Sequence, residues 1–590
     1  MLLFFRQPIT DAIPCTCKNF DELDSQPRIE RVQSAAIPPC LYSGALRRAF
    51  FTFLGARDFW ETETHYGEIT RVMLQDGEYW VTRLNGEVWA DSPPFYFWLT
   101  ALVSRAWGRV DEWTVRLPSA FAATALVVAF YHFAQKWLGA RAAFIATLVM
   151  STAALTIHVE RHIPINSTFY LWLTISMFLF MEVITAESAA PRRAYGAWFF
   201  LGLACLTKAP IGIVLPLSVI IAFVLMNGCG KKILWLRPIS GPLLLLLVLS
   251  PWLFFALWKT SGHWVDYFFA QHHVLYNIRH REPWFYAAVF FPIGFVPWVF
   301  LLPPAVLSLW DGLNGRGEPK FLFLSIWWLA ALVLAQLFDG HHNHYLFVAV
   351  VPAALVVGAF VDKLASGGAG ARALSWARVS LKAACVLLFV CGLAAPILAW
   401  RQLPDLKWHM VLFAALLIAG AAWIAAALKQ SNFLGVVARL GILLLIVDLQ
   451  IQGLIFPAMN RMETRALAET LGAVAKIEDG VATYLTESSQ SFFNFYSGIR
   501  RIDYVAAPEN LPAYLSRPGA HFVLMKQHHF ERLKKNPVAN LQVISVHAPN
   551  AKGWFATSFP RWVLVYSCTR DCPPAPPLAE PSAALSDSGR

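Results

Sequence analysis

Charge is what this 590-residue chain has least of. Only 14% of its residues are charged and 57% are hydrophobic, whereas a soluble domain carries about 25% charged residues. That excludes a soluble globular enzyme. The net charge of +11 does not point to nucleic acid, because in such a chain a basic excess belongs first to cytoplasmic loops. Cysteine is sparse too. The nine residues at 15, 17, 40, 205, 229, 385, 391, 568 and 572 show no metal-ligand spacing. Four lie in or beside apolar runs as packing residues. Cys568 and Cys572 can pair if the tail lies outside the cytoplasm. The apolar core at 1–5 is too short for a cleavable signal peptide. No half-to-half repeat of the kind common in transporters is visible.

What the chain does have is a series of apolar runs of roughly 20 residues, each long enough to cross a bilayer. They predict a polytopic α-helical membrane protein with thirteen spans: 37–56, 116–136, 141–158, 167–186, 194–207, 209–227, 238–258, 284–310, 320–338, 344–362, 380–400, 408–428 and 433–456. Arg47 and Arg48 make the first the weakest. Basic residues recur in alternate loops, at Lys136/Arg141, Arg192/Arg193, Lys231/Lys232/Arg237, Arg316/Lys320, Lys363/Arg372/Arg378 and Lys429. That repetition marks those loops as cytoplasmic and puts the remaining loops on the outer face. Residues 1–36 are a polar N-terminal segment. From about 460 to 570 the pattern is that of a small α/β domain, with strands at 480–485, 502–505, 521–525 and 541–547. An odd span count puts it outside, on the periplasmic side. Residues 571–590 are rich in Pro, Ala and Ser and read as disordered.

The outer loop 57–115 opens with eight carboxylates within residues 57–94: Asp58, Glu61, Glu63, Glu68, Asp76, Glu78, Glu87 and Asp91. Tyr66, Ile69 and Met73 share one face of a helix lying on the membrane surface. Phe95–Leu99 begins a second, aromatic interfacial helix. The 158–166 turn adds His158, Glu160, Arg161, His162 and Asn166. Lys208 stands at the break between two apolar runs. The outer loop 259–283 adds His272, His273, Arg279 and Arg281, and the 339–344 turn adds Asp339, His341, His342 and His344. Carboxylate and imidazole together make a plausible divalent-metal site. Lys and Arg beside them neutralise phosphate, and a carboxylate can take an acceptor's proton. Singly, each of these side chains has a bland reading as a surface, anchoring or snorkelling group.

Several of these segments resemble a known family. Trp60-Glu-Thr-Glu-Thr-His-Tyr-Gly-Glu-Ile-Thr-Arg is similar to the first-loop signature of the lipid A aminoarabinose transferase and protein O-mannosyltransferase group of GT-C glycosyltransferases, families 39 and 83. Asn85-Gly86, Asp91-Ser-Pro-Pro-Phe-Tyr-Phe-Trp-Leu, Arg116-Leu-Pro-Ser-Ala, Arg161 with Asn166, Leu201-Gly-Leu-Ala-Cys-Leu-Thr-Lys-Ala-Pro, and His273 with 280–286 resemble further motifs in the same order.

The resemblance implies transfer of a sugar from an undecaprenyl-phosphate-type donor to a lipid or protein acceptor at the periplasmic face of a bacterial inner membrane. It places the family's catalytic Asp on Thr62, the following Glu on Glu63, the metal-binding Glu and His on Asp91 and His273, the neighbouring Lys on Ser92, and a turn Asp on Asn166. Thr62, Ser92 and Asn166 therefore depart from the pattern. Thr cannot serve as a carboxylate base, so either Glu63 or Glu61 carries that charge or the activity is altered. The expected site has Glu63 as base, with Glu61 and Asp58 in reserve. Asp91 and His273 hold a divalent ion. Tyr66, Lys208, Arg161, Asn166, Arg279 and Arg281 hold substrate or phosphate. The rival readings are a transporter or flippase of lipid-linked substrates and a catalytically inactive relative.

Overall fold

The computed structural model describes residues 50–568 apart from 61, 163, 209–210, 267, 269–282, 284, 314–318, 339–342, 460–463, 477, 487–488, 536–540 and 548–560. Among these residues eight helices are long and apolar enough to cross a bilayer. The number is ten if each of two bent pairs counts as one span. The chain is a multi-pass membrane protein.

The twelve later segments expected to span are all helical, with two corrections. The run expected at 141–158 is not straight. Helix α4 (Ala140–Thr152) and helix α5 (Ala154–His162) meet at 59°, because Ala153 is extended and interrupts the helical ladder. The run at 284–310 breaks by 107° between Tyr286–Gly294 and Trp298–Ser308, in a stretch where Pro292, Pro297, Pro303 and Pro304 each remove a backbone donor. Helices α7 (Pro191–Thr207) and α8 (Ile211–Asn227) have 17 residues each, the lower limit for a crossing. The expected first span lies, up to residue 49, outside the described residues.

Helix α1 (Thr62–Asp76) carries the predicted apolar face of Tyr66, Ile69 and Met73. Yet Glu63, Thr64, Gly67, Glu68 and Thr70 on its other sides are buried as well, so it is not a helix lying free on a surface. The hairpin β1–β2 (Arg83–Leu84 with Glu87–Val88) follows, turning at Asn85-Gly86, both at positive φ. That is the conformation a two-residue turn of this kind requires. Helix α2 (Phe95–Trp107) packs beside α1 through Thr70 and Thr100, whose hydroxyls lie 2.8 Å apart. Its Tyr96 hydroxyl donates to the Val115 carbonyl of α3 (Glu112–Leu138) at 2.5 Å. Asp111 caps α3 by accepting from the Thr114 N–H. Helix α6 (Pro164–Thr185) is joined to α3 by Ser119, whose hydroxyl donates to Pro164 O.

The C-terminal residues form five strands in the order β4-β3-β5-β7-β6: β3 Gly480–Tyr484, β4 Asp503–Val505, β5 Ala520–Lys526, β6 Gln542–His547 and β7 Trp562–Cys568. β4, β3 and β5 are parallel; β7 runs antiparallel to both β5 and β6. The four expected strands are present. β7 is an addition, buried throughout except at Cys568, which is disulfide-bonded. Cys572 lies outside the described residues.

This α/β unit covers the far side of α1. Phe495 and Tyr496 pack into the apolar cluster of Phe59, Tyr66, Ile69, Tyr96 and Phe97. A Cβ on Gly67 would stand 3.1 Å from the Phe495 ring and 2.6 Å from that of Phe59, so only glycine fits that approach. Tyr496 Oη accepts from Phe59 N and donates to Glu112, and the Thr64 and Ser491 hydroxyls are 2.9 Å apart.

Candidate active site

Glu63, the expected base, is at 0% exposure and bound on every side. Its Oε1 accepts from Arg116 Nε at 2.8 Å. Its Oε2 accepts from Arg57 at 2.6 Å, from Arg116 Nη2 at 2.9 Å and from the Trp60 N–H at 3.1 Å. Four donors fill the roughly four acceptor positions of a carboxylate. Burial opposes ionisation of Glu63, but Arg116 and Arg57 outweigh it and hold its pKa below the ordinary range. Such a group neither takes a proton at neutral pH nor reaches an acceptor. The geometry makes it a fastener. Arg116 also donates to Leu54 O, Arg57 O and Asp58 O, so the ion pair ties the entry to the acidic loop onto α3. Arg57 continues the network to His162 Nδ1 at 3.1 Å. Neither Arg57 nor Arg116 stood out as a partner in the sequence, although Arg116 opens the Arg-Leu-Pro-Ser-Ala motif.

Asp58 is committed to the C-terminal unit, where Arg465 donates to it at 2.7 Å. Arg161 donates to Thr52 O at 2.8 Å and faces Asp448 on helix α9 (Phe433–Gln450) at 3.5 Å. It braces a helix end. Glu61, His273, Arg279 and Arg281 lie outside the described residues.

Two groups remain that suit chemistry. In the first, His65, Tyr66 and Asp91 are electrostatic neighbours. Burial lowers the pKa of His65 despite the opposing pull of Asp91, so the imidazole is neutral. Burial and Asp91 both raise that of Tyr66. A neutral imidazole beside a carboxylate is the ligand form a divalent cation needs. Among the described residues, no three acidic, His or Cys groups gather to hold a metal. Asp91 and His65 fit as part of such a set, not the whole.

In the second group, Lys208 caps the end of α7 in extended conformation, and Pro210 two residues on lacks an N–H to continue the ladder. The Lys208 ammonium is buried, 3.2 Å from both Asn166 Oδ1 and His344 Nε2, over the Tyr345 ring. His344 in turn accepts through its backbone carbonyl from Tyr170 at 2.6 Å. The groups approach one another through their neighbours. Ile165, beside Asn166, packs in the cluster that holds Tyr66, and Ala90, beside Asp91, packs with Leu206.

Comparison with known proteins bears on this arrangement. Residues 91–255 match the family described as dolichyl-phosphate-mannose-protein mannosyltransferase. The undecaprenyl phosphate-alpha-4-amino-4-deoxy-L-arabinose arabinosyl transferase of Yersinia enterocolitica is 27% identical over 341 residues, covering 55% of this chain and 60% of that protein. The enzyme of the same name from Pseudomonas paraeruginosa is 27% identical over 386 residues, covering 63% and 67%. The matched stretch thus spans about three fifths of the Yersinia enzyme's length. The crystal structure of ArnT from Cupriavidus metallidurans in the apo state shares the fold at a TM-score of 0.71 and 20% identity, over 89% of this chain and 97% of that one. The same protein bound to undecaprenyl phosphate matches equally, at 18% identity.

Proposed function

We propose that the chain, which matches the mannosyltransferase family over residues 91–255 and is similar to the aminoarabinose transferases, is a GT-C glycosyltransferase that moves a sugar from a polyprenyl-phosphate donor to a lipid acceptor at the outer face of the bacterial inner membrane. The observation that carries this reading is the buried seat of Lys208 on Asn166 and His344. An ammonium held there neutralises the charge that gathers on a departing polyprenyl phosphate. Asn166 stands where the family carries Asp. A neutral amide holds the lysine without cancelling its charge, and so leaves more of that charge for the phosphate.

Asp91 and His273 would hold a divalent ion, with neutral His65 alongside; when bound, such an ion supplies further positive charge to the leaving group. Glu63 gives up the base role and fixes the loop that presents Asp91. An acceptor that arrives already ionised, such as a lipid phosphate, needs no base, so the commitment of Glu63 does not hinder transfer to it. We place the C-terminal α/β unit in the periplasm, over the same loop.

The test is release of polyprenyl phosphate by purified full-length protein given polyprenyl-phosphate-linked radiolabelled aminopentose and a lipid phosphate acceptor. Lys208→Gln is expected to lower kcat/KM by about 10²-fold with unchanged thermal stability. Chelation and Asp91→Asn lower it as well. Uptake of label into vesicles with the glycosyl phosphate bond intact would sink the transferase reading in favour of transport, and absence of cleavage with every donor would favour an inactive relative.

A further inference from the structure

Where α5 gives way to α6, a set of buried oxygens completes no hydrogen bond among the described residues. Thr156 and Glu160 are four residues apart on α5 and so share one face. Among the described residues, neither carboxyl oxygen of Glu160 makes a hydrogen bond, and nor does Thr156 Oγ1. Across the junction the Ser167 hydroxyl lies within interaction range of the Glu160 carboxyl, although the two do not meet the geometry of a formed hydrogen bond. These side chains are 1%, 5% and 0% exposed for Thr156, Glu160 and Ser167, so bulk water does not serve them. Glu160 also stands in the last turn of its helix, the end at which the helix dipole disfavours a carboxylate. The adjacent Arg161 offers no relief, since its guanidinium is turned to Thr52 O and Asp448.

The donor set is one carboxylate and two hydroxyls. All are hard oxygens, with no nitrogen or sulfur of the kind transition metals prefer. When the Glu160 carboxyl releases its proton to solvent in exchange for the ion, one negative charge balances one positive charge. Broken helices in membrane proteins hold alkali ions at such ends, and α4–α5 is a broken span.

We propose that Glu160, Thr156 and Ser167 form a sodium-ion site that pins α5 to α6. Binding there fixes the residue just before Ser167, which is Asn166, the partner of Lys208. The ion is structural, and its ligands share no residue with the acid–imidazole group around Asp91.

The experiment uses the full-length protein purified in detergent in choline chloride, with NaCl exchanged in at constant ionic strength. The thermal midpoint is expected to rise saturably by roughly 1–3 °C with sodium, less with potassium and not with choline. Glu160→Gln keeps the sodium-free midpoint and loses the rise. Should that variant fail to fold, Ser167→Ala provides the readout, raising the half-saturating sodium concentration about tenfold. Identical midpoints in sodium, potassium and choline overturn the proposal, as does an undiminished sodium response in Glu160→Gln or Ser167→Ala.

Discussion

Glu63 and Glu160 are both carboxylates removed from water, at 0% and 5% exposure, and their surroundings are opposite. Glu63 meets two guanidinium groups and a backbone N–H. Glu160 has only the Ser167 hydroxyl beside it and completes no hydrogen bond among the described residues. Burial therefore says nothing about the role of an acidic residue in this bundle until its partners are counted. A saturated carboxylate is a fixed joint, whereas one that completes no hydrogen bond must stay protonated or bind something positive.

The contrast can be broken most directly at Glu63. Replacing it by Ala leaves Arg57 and Arg116 buried without a counter-charge, an expected loss of about 3–5 kcal/mol, read as a collapsed thermal midpoint or failure to extract a folded protein. Glu160→Gln in sodium-free buffer is expected to change the midpoint little. Equal losses at the two positions would erase the distinction.

Acid sharpens it further. The folded-state pKa of Glu63 is depressed below the ordinary value of 4.5. Its stabilisation is therefore complete above about pH 4.5 and is lost as pH falls through the folded-state value. Thermal midpoints of the wild type should drop on acidification below that point, and those of Glu63→Gln should drop less.

Smaller effects belong to the seam between the first loop and the C-terminal unit. Asn85→Ala removes hydrogen bonds to both backbone groups of Ile502 and is expected to cost about 1–2 kcal/mol. Faster hydrogen exchange in 465–568 would report it. Arg465→Ala, whose guanidinium is 42% exposed where it meets Asp58 and Glu112, should cost no more than about 1 kcal/mol. A larger loss there would mean that Asp58 is as deeply committed as Glu63.

The apolar stripe of α1 was legible because Tyr66, Ile69 and Met73 repeat at helical spacing. The apolar runs likewise reveal the eight helices, or ten with each bent pair as one span, that are long and apolar enough to cross a bilayer among the described residues. The partners of Glu63 were not legible. Arg57 is six residues away and Arg116 fifty-three, and only the docking of α3 against the loop brings them to one carboxylate. Glu63 in sequence is simply an acid in a family motif, which is why it read as a base. The burial of the far side of α1 was hidden for the same reason, since its cover is supplied by Phe495 and Tyr496. β7 escapes pattern reading because its residues are buried on both faces, so the alternation that betrays a half-exposed strand is missing. Asn166 and Lys208 both appeared as phosphate-site candidates, but their pairing needed the fold.

Asn85 is a single amide at the tip of a two-residue turn. Its Oδ1 accepts from the Ile502 N–H and its Nδ2 donates to the Ile502 carbonyl, as a neighbouring strand would do. The residue it fastens to is made 417 positions later. During synthesis the hairpin therefore leaves the ribosome long before its latch exists. The outer loop can take its finished shape only after the last helices are inserted and the C-terminal unit has emerged, which makes closure of this seam a late step in the protein's assembly.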